Sequence, residues 1–282
     1  FLRNSKLDLI LYVLASPWHA SQVRVIRKKE TRSFRVESDL LGNLVHRELT
    51  EFLKAHAAYE KKVDSKNSPH EGEERHELIE GDILDIELNR YHAKDPLGKI
   101  TNDLGITLFT SSAPTELTNS IQSIKEHGFG ETAGNFASFT FSFFNVVRDI
   151  WHEKRHFILL DVSGEVTDLS IVKDGKLIET SSFPCGVNTI VRLIASRLNL
   201  QIGESESLLN AYHNHHLSSS LRARVSLALH DVQKQWLSFF SKELEEISPQ
   251  ILLPRDVFLT VDEPYTALFK GFIESEKLHS TT

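Results

Sequence analysis

Residues 157–188, FILLDVSGEVTDLSIVKDGKLIETSSFPCGVN, are the part of the sequence most informative about the fold. Apolar runs flank an eight-residue segment, Asp161 to Asp168, which predicts two strands joined by a tight turn of small residues. Asp174-Gly175 then joins two more strand-like runs, and Asp-Gly is a strong signal for a two-residue hairpin. The segment therefore predicts a meander of three strands, followed by a helix from Val187 to Leu198.

The turn between the first two strands has residues suited to phosphate chemistry. Small residues such as Gly164 let backbone N–H groups approach phosphate oxygens, and an aspartate at a strand end can hold a metal-bound water. A simple hairpin with an acidic rim is the alternative, because aspartate and glycine occur in turns of every kind. The turn taken alone leaves both interpretations open.

Upstream patterns predict a compact α+β unit. The apolar run Leu7 to Ala15, which ends at Ser16-Pro17, is typical of a strand buried on both faces. Strict alternation over Ile83 to Asn89 and Leu104 to Thr110 predicts two half-buried strands that share a sheet. The amphipathic helix predicted from Ser38 to Lys62 would cover their apolar face.

The remaining segments give further predictions of local structure. Asp64 to Glu77 has almost no apolar content and is expected to be an exposed loop. Thr115 to His127 is predicted to be a helix that stops at Gly128. Downstream of the meander we expect two more helices, a strand and a last helix, at 205–214, 221–247, 257–261 and after Pro264.

Composition limits the class of protein. The 282 residues suit about two domains, and 40% hydrophobic with 25% charged residues is typical of a folded, soluble protein. A formal charge of −7 disfavours nucleic acid as the main partner. The single cysteine excludes an internal disulfide and favours a reducing, cytoplasmic setting, and no apolar run reaches the roughly 20 residues of a transmembrane helix. The chain begins at Phe1 and lacks methionine, so we interpret it as an N-terminally truncated fragment.

The succession of segments resembles the second domain of actin-like ATPases, and especially the cell-division FtsA and pilus-assembly PilM families. In that superfamily the turn Asp161 to Asp168 is the second phosphate loop. Ile83 to Tyr91, Pro96-Leu97-Gly98-Lys99 and Leu104 to Phe109 look like the subdomain that these proteins insert into domain one. The resemblance implies an α/β, actin-like (ribonuclease H-like) ATPase fold with an α+β insert of the FtsA type.

The resemblance also implies a division into domains. Residues 1–125 would hold the end of a domain-one strand and the inserted subdomain. Residues 126–155 would return into domain one, and residues 156–282 would form the second domain.

The cofactor that the resemblance implies is ATP with magnesium. The implied binding residues are Asp161, Ser163, Gly164, Glu165, Thr167, Asp168 and Gly186. Asp161 is the candidate catalytic residue, and it would hold the metal through a water molecule.

Two departures from the family pattern weaken the expected nucleotide site. Ser163 and Glu165 stand at two of three glycine positions, and Val261 and Asp262 replace a glycine pair beside the adenosine. A carboxylate about 4 Å from a phosphate oxygen would cost roughly 1 kcal/mol in water and about 4 kcal/mol at an effective dielectric of 20. We therefore expect ATP to bind weakly and catalysis to be weak or lost.

These expectations favour a cytoplasmic actin-like scaffold. It would recruit protein partners of a division or pilus machinery, associate with itself, and reach the inner face of the membrane through its partners. An active ATP-binding actin-like ATPase and a structural α+β protein without a nucleotide site are the alternatives. Nucleotide binding discriminates among the three.

Three further features have a structural and a functional interpretation. His213, His215 and His216 are expected to be a solvated helix end rather than a metal site, because no carboxylate or thiol follows at ligand spacing. Cys185 is expected to pack as a small apolar residue rather than to act as a reactive thiol. The phenylalanines of residues 136–144 are expected in a core rather than on a membrane-lying face.

Overall fold

The structure is a computed structural model that describes residues 7–64, 75–247 and 252–275. Its contacts divide the chain into two compact units, Phe1–Val146 with Lys176–Ile178, and Val147–Gly175 with Glu179–Thr282. Most of the predicted exposed loop, residues 65–74, lies outside the described residues. No helix among the residues described is both long and apolar enough to span a lipid bilayer.

The first unit consists mainly of strands, with two helices between them, and it ends in the middle of α3. Its elements are β1 (Leu9–Leu14), β2 (Ala20–Arg35), α1 (Ser38–Asp64), β3 (His76–Leu88), β4 (Tyr91–His92), β5 (Ile100–Pro114), α2 (Thr115–Phe129), β6 (Ala133–Ser138) and α3 (Phe139–Ile150).

The centre of the first unit is an antiparallel sheet in the order β2-β5-β3-β4. Ile106 of β5 lies opposite Ile26 on one side and Ile86 on the other, so the predicted sharing of one sheet by two alternating strands is confirmed. Helix α1 packs Leu44 onto Ile26, Leu104 and Ile106 to form a buried core. Helix α1 covers one face of this sheet, but the prediction that β5 is half-buried is wrong: the adjacent residues Phe109 and Thr110 lie on opposite faces and both are fully buried.

A second, smaller sheet of this unit pairs β1 with β6 in parallel. Parallel neighbours need a crossover connection, and here the crossover contains α2 and the entire antiparallel sheet. The prediction that β1 is buried on both faces is wrong: Leu9, Leu11 and Val13 are 51%, 56% and 44% exposed. In the described residues β1 has β6 as its neighbour in a two-stranded sheet, which buries little of the outer face.

Helix α2 ends two residues later than the sequence predicted. Gly130, not Gly128, follows the helix, with a φ of 62°, and its N–H group donates to the Glu126 carbonyl at 3.2 Å. Glycine is favoured here because the left-handed region penalises a Cβ atom. Gly128 lies within the helix.

The second unit begins within α3 and contains a four-stranded sheet followed and flanked by helices; Lys176–Ile178, at the start of one of its strands, are grouped with the first unit. Its elements are β7 (Phe157–Val162), β8 (Thr167–Lys173), β9 (Lys176–Phe183), α4 (Val187–Leu198), α5 (Ile202–His213), α6 (Ser219–Ile247), β10 (Val257–Val261), a short 3-10 turn (Glu263–Tyr265) and α7 (Thr266–Ser275). The sheet order is β10-β7-β8-β9, with β10 parallel and β8 antiparallel to β7.

The predicted hairpin between β8 and β9 is confirmed. Asp174 and Gly175 have φ values of 54° and 74°. Two positive φ values in a two-residue connection are the requirement of a type I′ turn, whose twist matches that of the strands. The sequence Asp-Gly supplies the residues that tolerate this conformation.

Helix α6 supplies the aromatic core of the second unit. Trp236 is fully buried, with its ring centroid 5.2 Å from that of Phe240, 5.5 Å from that of Phe269 and 5.7 Å from that of Phe183. These rings belong to α6, α7 and β9, so this cluster joins helices to the sheet. Large aromatic side chains of this kind contribute much of the burial energy of a core.

We predict that the first unit depends on its apolar core rather than on the polar face of the sheet. Ile106→Ala should lower the free energy of unfolding by about 2–4 kcal/mol, because Ile106 is fully buried beneath α1. Val25→Ala is the matched control on the same sheet, since Val25 is 65% exposed and should cost less than about 1 kcal/mol. Urea unfolding of both variants measures the difference, and equal losses would contradict this assignment of the core.

Candidate functional site

A row of polar side chains crosses the second sheet beside the predicted phosphate turn. Thr260 of β10 lies opposite Asp161 of β7, which lies opposite Asp168 of β8. The Thr260 hydroxyl donates to Oδ1 of Asp161 at 2.6 Å, and the Ser182 hydroxyl donates to Oδ1 of Asp168 at 2.6 Å. Residues directly opposite each other share a face of the sheet. The structure therefore brings together the two predicted aspartates and two hydroxyl groups that the sequence analysis did not single out.

Asp161 is the most strongly perturbed carboxyl group of this row. Burial raises its pKa from 3.8 to about 6, against the lowering effect of the Thr260 hydrogen bond, and Asp168 and Asp262 raise it further. Desolvation and like charges both disfavour the ionised form. Asp161 thus has a carboxyl group whose pKa burial raises well above that of an ordinary aspartate, a property often found at functional sites.

Thr167 points away from this row. It is adjacent to Asp168 in β8, so the alternation of the strand places its side chain on the opposite face. Its hydroxyl donates to the Cys185 carbonyl at 2.7 Å and accepts from Nε1 of Trp236 at 3.3 Å, in a fully buried position. The structure therefore gives this implied cofactor residue a role in packing the turn region onto α6.

Ser163 closes the turn internally. Its N–H and its hydroxyl both donate to the Val166 carbonyl, at 3.0 and 2.8 Å, and Oγ accepts the Val166 N–H at 3.3 Å. A serine hydroxyl that satisfies the backbone of its own turn is a common local alternative to ligand binding.

The carbonyl groups of the turn accept hydrogen bonds from the start of helix α4. The N–H groups of Gly186, Val187 and Asn188 donate to the carbonyls of Glu165, Ser163 and Gly164, at 3.1, 2.9 and 2.7 Å respectively. The first N–H groups of a helix have no partner within the helix and are the groups that commonly bind phosphate. Here three of them are bound by the protein itself.

Gly186 makes this close contact possible. A Cβ atom at this position would lie 2.4 Å from the Ser163 carbonyl oxygen and 2.5 Å from that of Gly164. Such distances are far below van der Waals contact, so the helix could not approach the turn with any larger residue. The structure thus explains Gly186 by the packing of α4 onto the turn.

The carboxylate of Glu165 is bound by helix α4. Arg192 donates from Nη1 to Oε1 at 3.0 Å and from Nη2 to Oε2 at 2.6 Å, and Asn188 donates to Oε1 at 3.1 Å. The paired Arg192 guanidinium and the Asn188 amide lower the pKa of Glu165 to about 2. The pairing of Glu165 with Arg192, which is 27 residues further along the chain, was not predicted. Asn188 and Arg192 are four residues apart on one helix face, and that spacing was the signal available.

Beyond β10 the second unit contains a cavity of about 520 Å³ that the sequence analysis did not foresee. Pro264 and Tyr265 line it, directly after the Val261-Asp262 pair for which the family pattern has glycines. Helices α5 and α6 supply other lining residues, including Tyr212 and Arg222. The cavity could not be predicted from the sequence, because its walls are formed by three helices from separate parts of the chain.

The cysteine and the phenylalanine cluster singled out in the sequence take part in packing. Cys185 is buried, as expected for a packing residue, and burial raises the pKa of its thiol to about 11. In the residues 7–64, 75–247 and 252–275, no cluster of three histidine, cysteine, aspartate or glutamate side chains has the arrangement of a metal site. Of the predicted phenylalanine cluster, Phe144 is almost fully buried and Phe141 stacks on Phe109 with centroids 4.6 Å apart.

We predict that Gly186→Ala is strongly destabilising. The new methyl group must displace two carbonyl groups of the turn, which should lower the free energy of unfolding by about 3 kcal/mol. Gly203→Ala is the control: it lies in helix α5, a Cβ atom there meets nothing within 4 Å, and it should be neutral or stabilising by up to about 1 kcal/mol. Chemical denaturation of both variants checks this, and an equally mild effect at Gly186 would show that the turn and helix are not in contact.

We also predict that Asp161 lowers the free energy of unfolding by an amount that depends on pH. Its pKa is higher in the folded state, so the folded state binds more protons than the unfolded state between about pH 4 and 6, and stability falls as the pH rises through that window. The full shift corresponds to about 3 kcal/mol. Asp161→Asn should therefore be increasingly stabilising relative to the wild type as the pH rises from 4 to 7, in urea unfolding at both pH values.

Asp149→Asn provides the control for this measurement, because the Asp149 side chain is 68% exposed. It should change stability by less than about 0.5 kcal/mol at either pH. A constant effect of Asp161→Asn between pH 4 and 7 would contradict the burial of this carboxyl group.

Comparison with known proteins defines the fold. No family model matches the chain, and no curated protein matches its sequence. Among solved structures, a chain of the PilM-PilN type IV pilus biogenesis complex matches with a TM-score of 0.57 and 15% identity, over 95% of this chain and 68% of that chain.

Two other solved structures match less of the architecture. The ethanolamine utilization protein EutJ from Carboxydothermus hydrogenoformans has a TM-score of 0.37 and 17% identity, over 53% of this chain and 50% of its own. A Bacteroides thetaiotaomicron protein of unknown function with an actin-like ATPase fold has a TM-score of 0.29 and 13% identity, over 68% and 55%. The agreement in fold with the PilM-PilN structure, at low identity and over nearly the whole chain, means that this chain has the actin-like ATPase fold and resembles PilM.

Proposed function

We propose that this protein is a cytoplasmic actin-like scaffold with a degenerate nucleotide site, which recruits protein partners in cell division or pilus assembly. The observation that carries the proposal is the closure of the turn 163–165 onto helix α4. Three N–H groups at the helix start and the carboxylate of Glu165 are satisfied within the protein. The N–H groups at the start of helix α4, which would otherwise be free to hold an anion, are thus committed to internal contacts.

The residues implied for ATP and magnesium do not suit that cofactor. Thr167 points to the opposite side of the sheet, Ser163 closes its own turn, and Gly186 serves a packing contact. The paired Glu165 carboxylate adds bulk at the turn, and a phosphate there would compete with it for Arg192. Of the residues implied for the cofactor, Asp161 and Asp168 are the two that lie in the polar row of the sheet. For this reason we infer weak nucleotide binding and derive no hydrolytic step.

The domain division is part of the same proposal. Residues 1–125 would contain the end of a domain-one strand and an inserted subdomain of the FtsA type, 126–155 the return into domain one, and 156–282 the second domain. The parallel pair β1 and β6, with the antiparallel sheet between them along the chain, supports an insertion at this point.

Protein partners are inferred from the fold and not from a site. The matching solved structure is of a PilM-PilN type IV pilus biogenesis complex, so a chain with this architecture assembles with another protein in that case. We propose a partner of the same kind for this chain, self-association, and peripheral attachment to the inner membrane face through the partner. Nucleic acid is not proposed, given the net charge of −7.

A second candidate function is an active ATP-binding actin-like ATPase. The observation that favours it is the polar row, because Asp161 has both the position and the raised pKa of a group that handles a proton. In this alternative the turn would open from helix α4 when nucleotide binds.

Titration calorimetry of the full-length protein with ATP and magnesium separates these functions. The scaffold proposal predicts a dissociation constant weaker than about 1 mM, since two defects of about 2 kcal/mol each weaken binding roughly a thousandfold from a micromolar relative. Restoring glycine at the two turn positions, with Ser163→Gly and Glu165→Gly together, should strengthen binding. A micromolar constant in the wild type that is lost in Asp161→Ala would contradict the proposal and establish the ATPase alternative.

A further inference from the structure

The cavity of the second unit has the size of a small-molecule site. It measures about 520 Å³ and lies among helices α5, α6 and α7. Small organic ligands and cofactors occupy clefts of roughly 300–1,000 Å³. The volume is therefore adequate for one ring system with its substituents.

The apolar part of the lining comes from all three helices. Leu209, Leu229 and Phe272 are 6%, 6% and 4% exposed, so they form a buried apolar floor of the cavity. Tyr212 and Tyr265 add two aromatic rings to the walls. Aromatic and aliphatic surfaces of this kind favour a planar ring, which loses little conformational entropy on binding.

The polar part of the lining is basic. Arg222 lies over the ring of Tyr212, with the guanidinium carbon 4.6 Å from the ring centroid, and its Nη1 donates to the Tyr212 carbonyl at 3.2 Å. These two contacts fix the cation in place before any ligand binds. His213, His215 and His230 also line the cavity. The predicted solvated helix end therefore forms part of a cavity wall.

Two carboxylates act on one residue of the lining without lining the cavity themselves. No carboxylate is among the lining residues in the described part of the chain. Glu206 and Asp262 act on Tyr265 and, after burial, help to raise its pKa. An anionic group would therefore be favoured at Arg222, whose guanidinium lines the cavity.

We infer that this cavity binds a small planar organic anion, an aromatic or heteroaromatic ring that bears one carboxylate, sulfonate or phosphate group. The ring contacts the apolar floor and the tyrosines, and the anionic group pairs with Arg222. One fixed guanidinium suits a single anionic group, in contrast to a triphosphate with its metal. The inference uses no atom of the turn 163–165, but the cavity adjoins the Val261-Asp262 pair on which the scaffold proposal also rests, and competition with ATP and magnesium distinguishes the two.

The test uses two fluorescent probes of nearly the same shape. 8-Anilinonaphthalene-1-sulfonate carries the anionic group, and N-phenyl-1-naphthylamine lacks it. The full chain should bind one molecule of the sulfonate, and Arg222→Gln should weaken that binding by about tenfold. The same substitution should change the affinity for the neutral probe by less than about twofold. Arg224→Gln is the matched control, because Arg224 is exposed on the same helix and does not line the cavity.

A second variant tests the location without removing a charge. Gly271 lines the cavity from α7, and a Cβ atom there meets nothing within 4 Å, so Gly271→Leu can project into the space without backbone strain. This variant should lose both probes while its thermal unfolding midpoint stays at or above that of the wild type. If Arg222→Gln fails to fold, Gly271→Leu decides the question alone.

Three results would overturn the inference. The first is sulfonate binding that survives Gly271→Leu, which places the probe elsewhere. The second is an equal loss of both probes in Arg222→Gln, which shows that the anion is not recognised. The third is displacement of the sulfonate by micromolar ATP with magnesium, which makes the cavity part of a nucleotide site. No displacement by that complex supports a ligand of the proposed class.

Discussion

The contact between the turn 163–165 and the start of helix α4 determines which backbone groups in this part of the second unit remain available to a ligand. Three backbone N–H groups donate to three consecutive carbonyls across it, and only a glycine at position 186 allows the approach. Hydrogen bonds of this kind are individually worth about 1 kcal/mol, but they also decide which groups remain for a ligand. The same atoms cannot hold a phosphate and the turn at once.

The polar row on the sheet, unlike the contact between turn and helix, lowers the stability of the fold, because it buries the carboxyl group of Asp161. Asp161 is largely buried, and the Thr260 hydroxyl compensates only in part for its desolvation. Proteins usually keep such a group where it has a use or where a network satisfies it. Here Asp168 and Ser182 extend the network across the sheet. The fold thus keeps two acidic groups on the sheet beside a turn that is closed onto helix α4.

Much of the second unit follows from local sequence. Helix α4 and strand β10 begin and end where periodicity predicted, because each has a regular apolar pattern and clear boundaries. The Asp174-Gly175 hairpin follows from turn chemistry alone. The order of these elements was sufficient to indicate the actin-like fold.

Strand β2 and the cavity were not predicted, for physical reasons. In β2 the buried residues Val23 and Ile26 lie three positions apart and hence on opposite faces, so the strand has no single alternating pattern. The cavity and the Glu165–Arg192 pair depend on residues brought together by tertiary packing. Short-range periodicity carries no information about such contacts, so the partner of Glu165 could not be predicted from it.

Amide hydrogen exchange at Gly186, Val187 and Asn188, measured with and without ATP and magnesium, tests whether the turn 163–165 is closed onto helix α4. If the turn is closed onto the helix, these three amides exchange slowly in the free protein, and nucleotide does not change their rates. Fast exchange in the free protein that becomes slow when ATP and magnesium are added would contradict the account, because it would show that the helix start is open to phosphate.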